Sequence, residues 1–300
     1  MIKDESLAKL RASIDGEVKI KVPLAIYTSF KIGGPAKYFY IAKSSAALVK
    51  AVAAARDLGL PFFILGGGSN VLIADRGFEG LVVKAENREV EFLDDGAVKA
   101  GAGMNLAALA ALSAQRGLGG LEFGVGIPGS LGGAVRGNAG CFSREIKEVV
   151  SRVTAIDQQG EIVELTNDDC QFAYRDSVFK QRPLIILEVY LSLTPNQADQ
   201  KLIEEYRGRK DATQDFKNAS AGCVFKNPAP DIYAGKLIDE LGLKGKQIGG
   251  AKISAKHGNF ILNTGQATAE DVIMLISLIK EKVRSHYGIQ LKEEVQYVGF

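Results

Sequence analysis

The sequence predicts an α+β protein in two parts, a glycine-rich part over residues 1–195 and a smaller one over 196–300. Short β-branched and aromatic runs alternate with helical segments through the first part. The composition breaks at Thr194-Pro195-Asn196, and a long amphipathic helix follows near the C-terminus.

Residues 37–42 read as a short aromatic strand. Residues 44–58 (SSAALVKAVAAARDL) have helical spacing, with Ser44 as N-cap. PFFIL (61–65) is a buried strand that runs straight into Gly66-Gly67-Gly68-Ser69-Asn70. Strand-like runs follow at 71–73, 81–84, 90–92 and 98–102, then a helix of small residues at 105–116. After the glycine-dense stretch 117–140, residues 149–157 and 161–165 read as a hairpin around Gln158-Gln159-Gly160. LIILEVYLSL (184–193) is a strong strand. Beyond the break, 197–214 is a charged helix and 234–241 a shorter one, with strands at 252–253 and 259–262. Residues 268–287 form the clearest helix: Thr268 with Asp271 three residues on makes a capping box, and Val272, Ile273, Leu275, Ile276, Ile279 and Val283 share one face. Residues 296–298 close as a strand, and no internal repeat is visible.

The composition excludes several classes. The net charge is +2 with no dense basic block, which predicts no nucleic-acid partner. No apolar run reaches the ~18 residues of a membrane span. The start, MIKDESLAKLRASID, lacks an apolar signal core, so the expected location is the cytoplasm. Cys141, Cys170 and Cys223 match no zinc or redox spacing, and neither His257 nor His286 lies in a ligand motif, so no metal site is expected.

Glycine is the unusual entry, with 34 of 300 residues, against about 7% in ordinary chains. Ten of them fall in 117–140. So many glycines cost backbone entropy on folding, and close approach of main chain to a flat, extended ligand explains them better than a merely convoluted loop. Gly66-Gly67-Gly68 after a buried strand presents bare amides suited to an anion, with Ser69 and Asn70 adding donors. Gly124-Val125-Gly126-Ile127-Pro128-Gly129 matches GxGxxG literally. No strand precedes it and Pro128 removes an amide, so the Rossmann reading fails.

Taken singly, the polar groups are unremarkable: Arg175-Asp176 as a surface ion pair, Cys223 as a core filler, Glu293-Glu294 as solvated charges. Read in order, the strings AIYTSFKIGGPA (25–36), ILGGGSNVLIAD (64–75), GIPGSLGGAVRGNAG (126–140), YRDSVFK (174–180), SAGCVFKNP (220–228), KHGNFILN (256–263) and LKEEVQYVG (291–299) resemble the UDP-N-acetylenolpyruvoylglucosamine reductase (MurB) family. The resemblance spans about 20–300, and the lack of extra sequence between 178 and 193 is similar to the shorter, type II subclass.

The resemblance implies an FAD-binding fold of the vanillyl-alcohol-oxidase (PCMH) type plus a smaller α/β substrate-binding domain. It implies a monomer that uses FAD, with NADPH as reductant, to convert UDP-N-acetylglucosamine enolpyruvate to UDP-N-acetylmuramate in peptidoglycan synthesis. By that resemblance Gly66, Gly67, Gly68, Ser69, Asn70 and Val71 hold the pyrophosphate. Gly126, Pro128, Gly129, Gly132, Gly133, Gly137 and Asn138 line the flavin, with Tyr27, Ser29, Ile32 and Gly33 alongside. Arg175 stabilises the enolate, Glu294 orients or protonates it, and Cys223 donates the final proton. Better-known members carry serine at the Cys223 position. An ordinary thiol, with a pKa of about 8.5, still carries a proton at neutral pH but is open to alkylation. Tyr174, Asn227 and His257 are implied to meet substrate, and either Lys210 or Lys226 its diphosphate. The alternatives are an FAD-dependent oxidoreductase of the same fold with another substrate, and a flavin-binding module without chemistry.

Overall fold

The computed structural model describes residues 4–215 and 218–300. They form two compact units, both discontinuous. One holds 4–20, Tyr38–Gly67 and Gly80–Gly208, and the other Lys21–Lys37, Gly68–Glu79 and Arg209–Phe300. The sequence reading cuts the chain once, between 195 and 196. The structure instead groups two early segments with the C-terminal part, because they hydrogen-bond to it. Strand Gln296–Val298 runs parallel to Val71–Ile73, and Asn263 Nδ2 donates to the carbonyls of Phe30 (3.1 Å) and Lys31 (3.3 Å).

The first unit is built on a five-stranded sheet in the order Ile162–Thr166, Val150–Ile156, Ile185–Ser192, Ala97–Gly101, Val90–Phe92, antiparallel throughout. Val98, Ala100, Val153, Val189 and Leu191 lie in its core with Leu106 and Leu109 of helix Leu106–Gln115 and Leu131 and Val135 of helix Leu131–Arg136. A second core joins Leu48, Ala51, Val52 and Ala55 of helix Ser45–Asp57 to Tyr38, Tyr40, Leu81 and Val83. Ser44 caps that helix by accepting from the Ala47 amide at 3.1 Å, as its position before the apolar run predicts. Strand Phe62–Leu65 lies parallel to Phe78–Ala85, pairing Phe62 with Leu81 and Leu65 with Lys84. Its last residue delivers the chain to Gly66.

At least two of the ten glycines of 117–140 answer to packing. An added Cβ would lie 2.2 Å from the Gln197 carbonyl oxygen at Gly119 and 2.8 Å from Ala102 Cβ at Gly132. Those two serve the packing of the chain on itself, so a glycine is needed at Gly132 whether or not its main chain also meets a ligand. The stretch also holds helix Leu131–Arg136, unforeseen because Gly132 and Gly133 are weak helix formers.

The second unit has a four-stranded antiparallel sheet, ordered Ala219–Cys223, Phe260–Asn263, Ala251–Ile253, Gln247–Ile248. Helix Ala269–Tyr287 packs on it through Val272, Leu275, Ile276, Ile279 and Val283, each stabilising by roughly 1.5–3 kcal/mol on burial. Thr268 and Asp271 form the expected capping box. The helix has a second cap from far away in sequence: Asp75 accepts from the amides of Ala269 (2.9 and 3.0 Å) and Glu270 (3.3 Å). An anion on these orphan amides is favoured by the helix dipole. Asp75→Ala is expected to lower stability by about 1–2 kcal/mol, read as a shift of the urea midpoint at unchanged slope.

Candidate active site

In the first unit, the strand-to-glycine turn is braced from two sides. Lys84 Nζ donates to the Gly66 carbonyl, and the Gly67 amide donates to Ser130 Oγ at 3.2 Å. Burial, reinforced by Arg88, holds the Lys84 ammonium below its ordinary pKa, while Glu86 opposes the shift. Ser130 also caps helix Leu131–Arg136 through the Gly133 amide at 3.3 Å. A Cβ on Gly67 would lie 2.5 Å from Gly129 Cα, so two glycine turns meet main chain to main chain. Gly133 stays exposed beside them. Gly126 ends the 3-10 turn Glu122–Gly126, with no strand feeding the GxGxxG string.

Arg175 sits at the tip of a tight turn. Ala173 and Asp176 exchange both main-chain hydrogen bonds (3.0 and 3.1 Å), and Arg175 is left-handed at φ +54°. Its guanidinium donates to the carbonyls of Gly140 (Nη2, 2.8 Å) and Asn138 (Nη1, 3.5 Å) and lies 5.3 Å from the centre of the exposed Tyr174 ring. Asn138 is fully buried, with its amide on the Ala173 carbonyl (2.9 Å) and Glu145 Oε2 (3.1 Å). Its side chain is committed to protein partners, a role the sequence reading did not foresee.

In the second unit, Cys223 and Glu294 are brought together. Cys223 ends strand Ala219–Cys223, whose pairing with Phe260–Asn263 is irregular between Ser220 and Cys223, where Gly222 takes φ +73°. The Glu294 amide donates to the carbonyl of the next residue, Val224, at 2.7 Å. Asn70 Nδ2 donates to the Glu294 carbonyl at 3.1 Å, and the Gln296 amide donates to the Asn70 carbonyl at 3.0 Å. Ser29 Oγ donates to the carbonyls of Ser220 (2.6 Å) and Gly68 (3.4 Å). Gly68 has φ +67°, and a Cβ there would lie 2.2 Å from the Tyr27 carbonyl oxygen. The 68–70 turn, Ser29, Ser220, Val224 and Glu294 therefore share one hydrogen-bond network, and Cys223 lies in the chain between Ser220 and Val224. Ser29 and Asn70 do structural work with the very groups that were read as ligand donors. Ile32 and Val71 are buried, so only their main chains could face a ligand.

Of the substrate candidates, Lys210 and His257 come together electrostatically. Burial first, then Lys210 and Lys244, hold the His257 imidazole below its ordinary 6.5. Its Nδ1 accepts from the Asn259 amide at 3.2 Å, which places the proton of the neutral ring on Nε2. Lys210 Nζ donates to Gln214 Oε1 at 3.2 Å. Asn227 Oδ1 accepts from Ala234, the first residue of helix Ala234–Glu240, at 3.1 Å. Lys226 is half-buried next to it. Cys170 is buried, its thiol pushed up to about 12 by burial and the Asp169 charge, which suits a structural role.

Gly67 and Gly129 meet as bare main chain, with a lysine ammonium behind Gly66 and an exposed Gly133 close by, and a glycine turn next to a fixed cation has the donor chemistry that suits the diphosphate of a dinucleotide. Fold and site together define an FAD-dependent oxidoreductase with the vanillyl-alcohol-oxidase type of FAD-binding fold. Comparison with known proteins agrees. Residues 36–166 match the FAD binding domain model, and 214–298 match the C-terminal domain of UDP-N-acetylenolpyruvoylglucosamine reductase. The enzyme of that name from Carboxydothermus hydrogenoformans is 42% identical over 299 residues, covering 97% of this chain and 99% of its own. The one from Caldanaerobacter subterraneus subsp. tengcongensis is 40% identical over 287 residues, 95% of each chain. The crystal structure of the Thermus caldophilus enzyme superposes with a TM-score of 0.78 at 33% identity, covering 94% of this chain and 98% of that one. The chain belongs to the UDP-N-acetylenolpyruvoylglucosamine reductase family, in its shorter subclass.

His257 supplies a pH test. Because its folded pKa is depressed, the folded state binds fewer protons than the unfolded one below about pH 6.5, so stability falls as pH falls through that window. His257→Gln removes the site. Urea melts from pH 7 to 5 should show a shallower loss for the variant, the difference being a fraction of ~1.4 kcal/mol per pH unit for a group that is not fully buried.

Proposed function

We propose that this chain reduces the enolpyruvyl ether of UDP-N-acetylglucosamine enolpyruvate to the lactyl ether of UDP-N-acetylmuramate, with NADPH as reductant and FAD as carrier. The observation that carries the reading is the hydrogen bond from the Glu294 amide to the carbonyl of Val224, the residue after Cys223, which puts a thiol and a carboxylate on adjoining main chain. Bound FAD supplies the hydride relay from NADPH to the terminal carbon of the enol ether.

The remaining tasks fall to the protein. Gly66, Gly67, Gly68 and Ser69 would hold the pyrophosphate by main-chain amides, with Lys84 adding positive charge behind Gly66. Gly126, Pro128, Gly129, Gly133 and Gly137 would lie along the ring system, and Tyr27 and Gly33 beside it. Arg175 stabilises the negative charge that grows on the substrate carboxylate as hydride adds, since a fixed cation there is worth more in the transition state than in the ground state. Cys223 gives its Sγ proton to the adjacent carbon, and Glu294 orients the enolate. The hydride and the proton together saturate the double bond and leave NADP and a thiolate that regains a proton from solvent. Tyr174, Lys226, Asn227 and the Lys210–His257 pair would meet the UDP-sugar, the lysines facing its diphosphate. In this proposal the FAD is carried by the 1–195 part and the sugar by 196–300.

The wider reading follows from the chemistry: a monomer, acting in the cytoplasm where its nucleotide substrates occur, whose product feeds peptidoglycan and so cell shape and division. Among the described residues, no helix is long and apolar enough to cross a membrane.

Purified protein is expected to be yellow, to bleach with NADPH without oxygen, and to regain colour when the enolpyruvyl sugar is added. Protein that binds no FAD contradicts the reading. Cys223→Ala is expected to bleach normally but to recolour at least ~100-fold more slowly, the usual contribution of a general acid. Recolouring at the wild-type rate would remove Cys223 from the proton-donor role.

A further inference from the structure

We propose that Asn138 is a positioning residue that aims Arg175, rather than a cofactor ligand. The inference rests on the enolate-stabilising role of Arg175 proposed above and adds what holds that guanidinium in place.

Asn138 follows the short helix Leu131–Arg136 and is left-handed at φ +40°. It helps close the helix end, its amide donating to the Val135 carbonyl at 3.1 Å. Asparagine tolerates this conformation better than most residues, at some cost in backbone energy. Arg175 pays a similar cost at φ +54°, without the advantage of being glycine or asparagine. Two left-handed residues facing one another are retained only where the surroundings over-determine them, and the surroundings here are mutual contacts.

Asn138 grips the arginine turn at two points. Its side-chain Nδ2 donates to the Ala173 carbonyl at 2.9 Å. That same carbonyl closes the Ala173–Asp176 turn by accepting from Asp176 at 3.1 Å. Its main-chain carbonyl accepts from Arg175 Nη1 at 3.5 Å, while Gly140, two residues on, takes Nη2 at 2.8 Å. The side chain is itself fixed by Glu145 Oε2 at 3.1 Å and by the Lys147 amide at 3.3 Å. Neutral carbonyls orient the guanidinium without cancelling its charge, which is what a cation waiting for an enolate requires. A buried amide bonded at both ends has one geometry, so the turn inherits it.

The test separates aim from folding. Asn138→Gly keeps the left-handed conformation accessible and deletes the side-chain grip together with its anchors on Glu145 and Lys147. FAD content and the rate of bleaching by NADPH are expected within about twofold of wild type, with a lowered melting temperature because buried partners lose a hydrogen bond. Recolouring by the enolpyruvyl sugar is expected to slow by ~10–100-fold, the cost of a misplaced catalytic group. In an Arg175→Ala background the same substitution is expected to change recolouring by less than about twofold, because the group it aims is gone. Wild-type recolouring in Asn138→Gly, or an undiminished loss in the Arg175→Ala background, overturns the proposal. Arg175→Ala alone with an unimpaired substrate step overturns the role of Arg175 itself, and the inference with it. Should Asn138→Gly fail to fold, Arg175→Lys decides. It keeps the charge but lacks the fork that reaches both carbonyls, so it is expected to recolour at least ~10-fold more slowly with bleaching unchanged. Unchanged recolouring in that variant overturns the proposal.

Discussion

The second unit depends on a short main-chain clasp. The turn at 68–70 is bonded to Glu294 and Gln296 through Asn70, and Ser29 bridges Gly68 to Ser220 on the strand that ends in Cys223. Each such hydrogen bond contributes only about 1 kcal/mol net, but leaving a buried partner unsatisfied costs more. The clasp is therefore a constraint on geometry more than a store of stability. It makes the proposed pyrophosphate turn and the segments carrying the thiol and carboxylate one mechanical object. A cofactor that orders the turn orders the proposed proton donor with it.

The same device recurs in the first unit with a different purpose. There Asn138 and Gly140 use carbonyl oxygens to hold Arg175. In both places a buried or half-buried asparagine converts a flexible turn into a fixed one. The groups proposed to perform chemistry sit at chain positions that are poor formers of regular structure: a strand end beside Gly222, a left-handed arginine, a residue just before a closing strand. Conformations of that kind persist where packing and hydrogen bonds over-determine them.

Much of the fold was legible because its causes are local. Helix Ala269–Tyr287 carries its cap and its apolar face in its own sequence, and the hairpin Val150–Ile156 with Ile162–Thr166 carries its turn. Helix Glu5–Ser13 was not legible, since it buries a single residue, Leu10, and has no clear apolar stripe. The grouping of Lys21–Lys37 and Gly68–Glu79 with the C-terminal part was hidden because it arises from pairings more than two hundred positions apart, such as Val71 with Gln296. The glycine excess pointed to a ligand, yet Gly119 and Gly132 turned out to admit neighbouring chain. Ordered motifs identified Arg175, Cys223 and Glu294 as candidates. The roles of Asn70, Asn138, Asp75 and Lys84 depend on partners distant in sequence, and no spacing rule could have shown them.

The central claim is that the 68–70 turn and the Glu294–Gln296 segment respond to FAD as one element. Hydrogen exchange of the main-chain amides, with and without FAD, tests it directly. The account predicts that FAD slows exchange at Glu294 and Gln296, whose amides donate to Val224 and Asn70, together with the amides of 68–70. Protection confined to the glycine turn, with Glu294 and Gln296 unchanged, would contradict it.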